Sequence, residues 1–387
     1  MQMRNLDRRL RRTGITLCLV AACAAALALG ATDCRAYITD EECIVYTINE
    51  SPAWSPDGSK IVFASNASGD QGVWRINADG TGLVRLTNSA EADSSPAWSR
   101  DGTYIYFIRS GDIWMMLPDG SAAQVLRATE AEEWSVSPLP GGNLVVDNNE
   151  GIQLYSADGI ALAYIAAGPD ADSDPDASPD GTQIAFIRGA PNGYGNVAKR
   201  NLDKSGLTLL TSGDYWESTP RWSPDGSRLV FASNRQGGTR KLWFVHAGGT
   251  GLARVMDDTS EPPDVSDADP CWSPDGARIA FSRDGSQSCD IWIVNADGTG
   301  LTRLVQSVAT PTFSPDEGTY VGEQTVTISC ATAGAAIRYT TDGTDPTESS
   351  TLYTGPVTID HSLTLSAKAW KTNYMPSAIK MAQYTIE

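Results

Sequence analysis

Pro52-Ala53-Trp54-Ser55-Pro56-Asp57-Gly58 is the stretch on which the fold turns, because the chain repeats it. It returns as Pro96-Ala97-Trp98-Ser99-Arg100-Asp101-Gly102, as Arg221-Trp222-Ser223-Pro224-Asp225-Gly226 and as Cys271-Trp272-Ser273-Pro274-Asp275-Gly276. Weaker copies stand at Asp176-Ala177-Ser178-Pro179-Asp180-Gly181 and around Val136-Ser137-Pro138. With Trp54, Trp98, Val136, Ala177, Trp222 and Trp272 as one column, the period is roughly 40 to 50 residues, which suits a four-stranded propeller blade.

Each copy has one internal plan. A strand ends at the Ser-Pro-Asp-Gly turn, where proline presets φ and glycine takes the left-handed position. A short apolar strand follows, such as Ile61-Val62-Phe63 or Leu229-Val230-Phe231, and then an alternating one, such as Val73-Trp74-Arg75-Ile76 or Ile291-Trp292-Ile293-Val294. A second glycine turn, Asp79-Gly80-Thr81-Gly82 or Asp297-Gly298-Thr299-Gly300, leads to an outer strand. No such unit can bury its own faces, so neighbours must stack. The expectation is an all-β chain: a six-bladed β-propeller over 51–307, with 31–50 ahead of it and Ile44 to Ile48 available as a ring-closing strand.

The Trp-Ser-Pro-Asp-Gly copies, followed by Asn-Ala-Asp-Gly-Thr-Gly-Leu, resemble the propeller repeats of TolB, the periplasmic protein of the Tol-Pal envelope system. The resemblance covers about 51–306 and implies a periplasmic, protein-binding propeller. TolB carries an α/β domain ahead of its propeller, for which this chain has only about twenty residues after its leader.

From Val308 the period stops. Gln324 to Ser329, Ala336 to Thr341, Gly355 to Ile359 and Leu363 to Ala369 read as short strands of an immunoglobulin-like β-sandwich over 308–387. Ile337-Arg338-Tyr339-Thr340-Thr341-Asp342-Gly343-Thr344-Asp345-Pro346 resembles the C-terminal module of chitobiases and β-hexosaminidases. That resemblance implies a polysaccharide-rich setting and nothing catalytic.

Five arginines between Arg4 and Arg12, the apolar run Ile15 to Leu29 and Ala28-Leu29-Gly30 read as a signal peptide over 1–30. Export to the periplasm or cell surface is expected. Val20-Ala21-Ala22-Cys23 would place a lipid on Cys23 if it were a lipoprotein box, but the apolar run continues past it. A net charge of −18 disfavours nucleic acid and an anionic membrane surface.

Chemistry is sparse. The two histidines, His246 and His361, fall at turns. No Gly-x-Ser-x-Gly elbow occurs, and two histidines cannot supply the ligand set of manganese lyase propellers. A pair of carboxylates could in principle hydrolyse a glycoside, but nothing singles one out. Cys271 and Cys289 fall at one end of the sixth blade; a disulfide between them and two unpaired thiols are both open. Trp134 and Trp216 lie outside the two repeating tryptophan columns, in connections leading into inner strands, where a ligand contact and core filling are both open.

Those lead-in connections vary in length while the glycine turns do not, and binding tends to reside in variable loops on a rigid scaffold. They also gather acids without lysine or arginine: Glu91, Asp93, Glu132, Glu133, Asp172, Asp174, Glu217, Asp267 and Asp269, with Glu130, Asp170, Asp214, Asp257, Asp258, Glu261 and Asp264 among the rest. Convergence at a ring mouth would sum these into one negative potential. The expected site is this mouth, with Trp134, Tyr215 and Trp216 at its rim, taking Ca²⁺ or a basic segment of an envelope protein. The alternative is a carbohydrate-binding or carbohydrate-modifying surface protein.

Overall fold

The repeated serine and aspartate explain why five of the six copies turn where they do. In the first copy Ser55 Oγ donates to Asp57 Oδ1 at 2.5 Å, and Ser59 N donates to the same oxygen at 3.0 Å. Lys60 N donates to Ser55 Oγ at 2.9 Å, closing the reversal. Ser99–Asp101, Ser178–Asp180, Ser223–Asp225 and Ser273–Asp275 repeat the arrangement. Such side chains replace backbone partners and so specify a turn independently of what packs on it.

The structure, a computed structural model, describes residues 38–39, 42–43, 47–128, 131–166, 172–190, 193–256, 265–285 and 288–387. The leader over 1–30 and residues 44–46 of the expected closing strand lie outside them. All regular elements among the described residues are strands. Within Ile48–Leu304, one of two compact units, they form six four-stranded antiparallel sheets, each contiguous in sequence. Their first strands are Asn49–Trp54, Asp93–Trp98, Glu133–Pro138, Ser173–Ala177, Glu217–Trp222 and Ser266–Trp272.

Register fixes the columns. Trp54, Trp98, Trp222 and Trp272 face Ile61, Ile105, Leu229 and Ile279 of the second strand. The third sheet corrects the sequence alignment by two residues: Pro138, not Val136, faces Leu144. Val136 has the same parity along the strand as Pro138, so its apolar character imitated the column from the wrong rung.

The tryptophans seal one sheet against the next. Trp272 stacks on Phe244 of the preceding sheet with centroids 5.5 Å apart, and Arg228 lies over both rings at 4.8 and 4.4 Å. The sixth sheet meets the first in the same way, with Arg278 over Trp54 at 4.8 Å. First strands touch first strands all round, the sixth touching the first. The sixth sheet carries its own outer strand, Thr302–Arg303, so it needs none from the N-terminal side. Of 44–48, Ile48 makes a single parallel bridge to Cys289.

Within the second unit, Val305–Glu387 forms a three-stranded and a five-stranded sheet. Phe313, Val326, Ile328, Val357 and Ile359 of the one share a core with Leu365, Ala367, Ala382 and Tyr384 of the other. Among the described residues no helix is long and apolar enough to cross a membrane.

The turns make an acid prediction. Donation from the partner serine, then from the backbone two residues on, holds Asp57, Asp101 and Asp225 down to about 2. A carboxyl depressed in the folded state contributes stability above its unfolded value near 4 and loses it as pH falls towards 2. The melting temperature should therefore fall between about pH 4 and pH 2. The variant Ser55→Ala/Ser99→Ala/Ser223→Ala should melt lower at pH 7 and decline less steeply in that window, which calorimetry at stepped pH would measure.

Candidate functional site

The acids expected at the mouth divide into two columns of the first strands. The first position holds Asn49, Asp93, Glu133, Asp172, Glu217 and Asp267. All six are buried, and Asp93, Glu133 and Asp267 are 0% exposed. The five acids each meet an arginine from outside the lead-in connections. Arg109 clamps Asp93 through Nε at 2.6 Å and Nη2 at 2.9 Å, and Arg283 clamps Asp267 at the same two distances. Arg188 Nη1 reaches Asp172 at 3.0 Å, Arg235 Nη2 donates to Glu217, and Arg127 Nε lies 3.9 Å from Glu133. Burial pushes the Asp172 carboxyl up, against the pull of Arg188.

The guanidiniums in turn rest on aromatic faces. Arg109 lies 4.5 Å from the Trp114 ring, Arg235 5.4 Å from Trp243, Arg283 5.4 Å from Trp292, and Arg127 4.6 Å from Tyr155. Acid, guanidinium and ring thus form one stacked unit in four sheets. Where the first position is Asn49 the partner is different: its Nδ2 donates to Cys289 O at 3.0 Å and to Asp290 Oδ1 at 3.2 Å. These acids are consequently neutralised inside the fold and supply no open negative potential. Their partners lie on neighbouring strands, outside the lead-in windows. A signal was present in Phe107-Ile108-Arg109, Phe186-Ile187-Arg188 and Phe281-Ser282-Arg283.

The third position holds Ser51, Ser95, Ser135, Asp174, Thr219 and Asp269. Every first strand has a register irregularity spanning or ending at this position. Ser51, Ser95, Asp174, Thr219 and Asp269 have φ of 53°, 50°, 55°, 47° and 49°, and each precedes a proline. A left-handed residue ahead of proline is disfavoured twice over, so five strained positions recur around the ring. Ser51 N donates to Asp269 Oδ2 at 3.4 Å and Thr219 N to Asp174 Oδ2 at 3.4 Å, tying one first strand to the next. Asp174 and Asp269 are the acids of this column. Both are half-buried, and no arginine clamps them in the way one clamps the first position.

The remaining expected residues are scattered. Glu91 is exposed, while Glu132, Trp134 and Tyr215 are half-buried. Tyr215 lies under Arg235 at 5.0 Å. Trp216 is 43% exposed, so it is not core filling. Glu130, Asp170, Asp257, Asp258, Glu261 and Asp264 lie outside the described residues. Among those described, no group of three or more His, Cys, Asp and Glu could hold a metal ion. His246 and His361 are exposed, His361 Nδ1 lying 2.6 Å from the Asp360 carboxylate.

Neither open alternative for Cys271 and Cys289, a bridge between them or two unpaired thiols, holds. Cys271 is a free thiol, whereas Cys289 is disulfide-bonded elsewhere. The register explains this: Cys271 faces Ala280 on the second strand, while Cys289 faces Asp284 at that strand's far end.

Comparison with known proteins gives two family matches. The TolB beta propeller domain matches residues 43–151 and 143–330, and the chitobiase/beta-hexosaminidase C-terminal domain matches 315–381. An uncharacterized protein of Agrobacterium fabrum is 28% identical over 146 residues, 37% of this chain and 41% of that protein, so the match spans less than half of the relative. A structure assigned as TolB from Agrobacterium tumefaciens superimposes with TM-score 0.50 at 20% identity, covering 58% of this chain and 84% of that one. An oligogalacturonate lyase from Vibrio parahaemolyticus aligns at 14% identity with TM-score 0.47, covering 70% and 84%. At 20% identity the likeness to the first of these structures speaks to the fold alone.

The thiols offer a direct check. Alkylation of the unreduced, denatured protein should label Cys271 and Cys330 and spare Cys289, which should react only after reduction; peptide mapping would read each site.

Proposed function

The chain belongs to the TolB β-propeller domain family, and on that premise we propose that it is an exported, non-catalytic binding protein whose propeller takes a protein partner at the channel mouth. The six sheets serve as six blades of a closed ring over 51–307. The sheet pair over 308–387 serves as a separate immunoglobulin-like module. Export is supported by the basic and apolar start of the sequence and by the disulfide at Cys289, a bond suited to an oxidising compartment.

The observation that carries this reading is the strained third-position column. Strain of this kind persists where the surroundings over-determine it, and it concentrates where a surface must present fixed groups. The acids it presents are Asp174 and Asp269, one in the fourth blade and one in the sixth. Each already accepts a backbone N–H from the next blade through Oδ2, which fixes the carboxylate in place. Held carboxylates at a ring mouth select a cationic group, so the partner presents a lysine- or arginine-rich segment. Catalysis has less support, because the five first-position acids are held in internal ion pairs.

Titration with an octalysine peptide tests the reading. Binding should be measurable at low ionic strength and weaken steeply with added salt. Asp174→Asn together with Asp269→Asn should weaken it about tenfold without shifting the melting temperature appreciably. An affinity unchanged by that pair of substitutions would sink the proposal, as would no binding at low salt.

A further inference from the structure

Trp216 stands immediately ahead of the fifth sheet's first strand, and its backbone is fixed from both sides. Its N–H donates to Asn234 Oδ1 at 2.9 Å, and Asn234 N donates back to its carbonyl at 3.3 Å. It also bridges Gly195 of the fourth sheet, whose N–H donates to Tyr215 O at 3.4 Å. That seam requires a glycine, since a Cβ at 195 would fall 2.4 Å from Ile187 Cγ2.

The first sheet contains the same scaffold with a different side chain. Ile48 N donates to Asn66 Oδ1 at 2.7 Å, Asn66 N donates to Ile48 O at 3.3 Å, and Ile48 bridges Cys289. An aliphatic residue therefore satisfies the seam, and the indole at 216 is not demanded by it. The indole is instead 43% exposed, with the Tyr194 ring beside it at 6.1 Å and tilted by 39°. A rigid backbone carrying two adjoining aromatic rings, one of them nearly half in solvent, offers an apolar face rather than a pocket.

Three kinds of ligand use such a face: a nucleobase, an apolar side chain of a protein, or the C–H face of a sugar ring. A net charge of −18 opposes nucleic acid. A protein anchor gains most of its energy in a well-packed, fully desolvated pocket, which an indole projecting from a seam does not supply. A pyranose needs only an exposed ring with polar groups near its edge. Asp214 lies exposed two residues before Trp216. The acidic surface also argues against a uronic-acid polymer.

We propose that Trp216 and Tyr194 form a stacking platform for an uncharged oligosaccharide. This site uses none of the acids assigned to the basic partner, so either can fail without the other.

Saturation-transfer NMR on the full chain tests it, with tetrasaccharides of glucose, N-acetylglucosamine and galacturonic acid as probes. One or both uncharged sugars should receive saturation, and galacturonate should not. Trp216→Ala should weaken binding about tenfold, the order of one lost aromatic contact, while the melting temperature stays within a few degrees. Tyr194→Phe should retain binding and Tyr194→Ala should weaken it. The proposal is overturned if neither uncharged sugar is bound at millimolar concentration. It is equally overturned if transfer survives Trp216→Ala, or disappears only with Trp370→Ala in the C-terminal unit. Capture of a protein partner lost in Trp216→Ala, with no sugar response in the parent, would assign the indole to a protein interface instead.

Discussion

A carboxylate at the first position of an inner strand, a guanidinium over it and an aromatic ring beneath is the interaction on which the propeller rests. The inner strands crowd towards the ring axis, where a lone buried acid would be costly. The arginine removes that cost, and its flat face then covers the third-strand ring: Asp93–Arg109–Trp114, Glu217–Arg235–Trp243 and Asp267–Arg283–Trp292. Strands one, two and three of a blade are joined in a single stroke. The third sheet reaches the same end with Arg127, borrowed from the preceding sheet's outer strand, and Tyr155. Asn49 begins the first strand of the first sheet, and there no guanidinium is required.

This constraint also decides what the mouth can be. Five of the ten described acids in the lead-in sequence are locked in internal ion pairs, so they leave less charge at the mouth than its sequence suggests. Asp174 and Asp269 stand on strained backbone two residues beyond the locked acids. The lock and the presented group are thus neighbours on one strand, and the rigidity of the first serves the second.

The repeat was legible because its signals are local. Trp54, Asp57 and Gly58 each act within one strand and one turn, so spacing alone exposes them. The blade-three alignment slipped by two residues because Val136 and Pro138 share a face, and alternation cannot separate residues of equal parity. The acids misled for a different reason. Asp93 and Arg109 are sixteen residues apart and adjacent only across the sheet, so a loop window containing Asp93 omits its partner. The free thiol of Cys271 followed from register, which strand order does not determine. Trp216 was visible as an off-column tryptophan, but its exposure depended on Asn234 and Gly195, which carry no pattern of their own.

The central question is whether the first-position acids are internal locks rather than ligand-binding groups. A double-mutant cycle on Asp93→Asn and Arg109→Met, followed by urea unfolding, measures that directly. Each single variant should lose about 3–5 kcal/mol, as expected when one partner of a buried pair is left alone. The double variant should lose at least about 2 kcal/mol less than their sum. Two single effects below about 0.5 kcal/mol that simply add would contradict the account and return Asp93 to the binding surface.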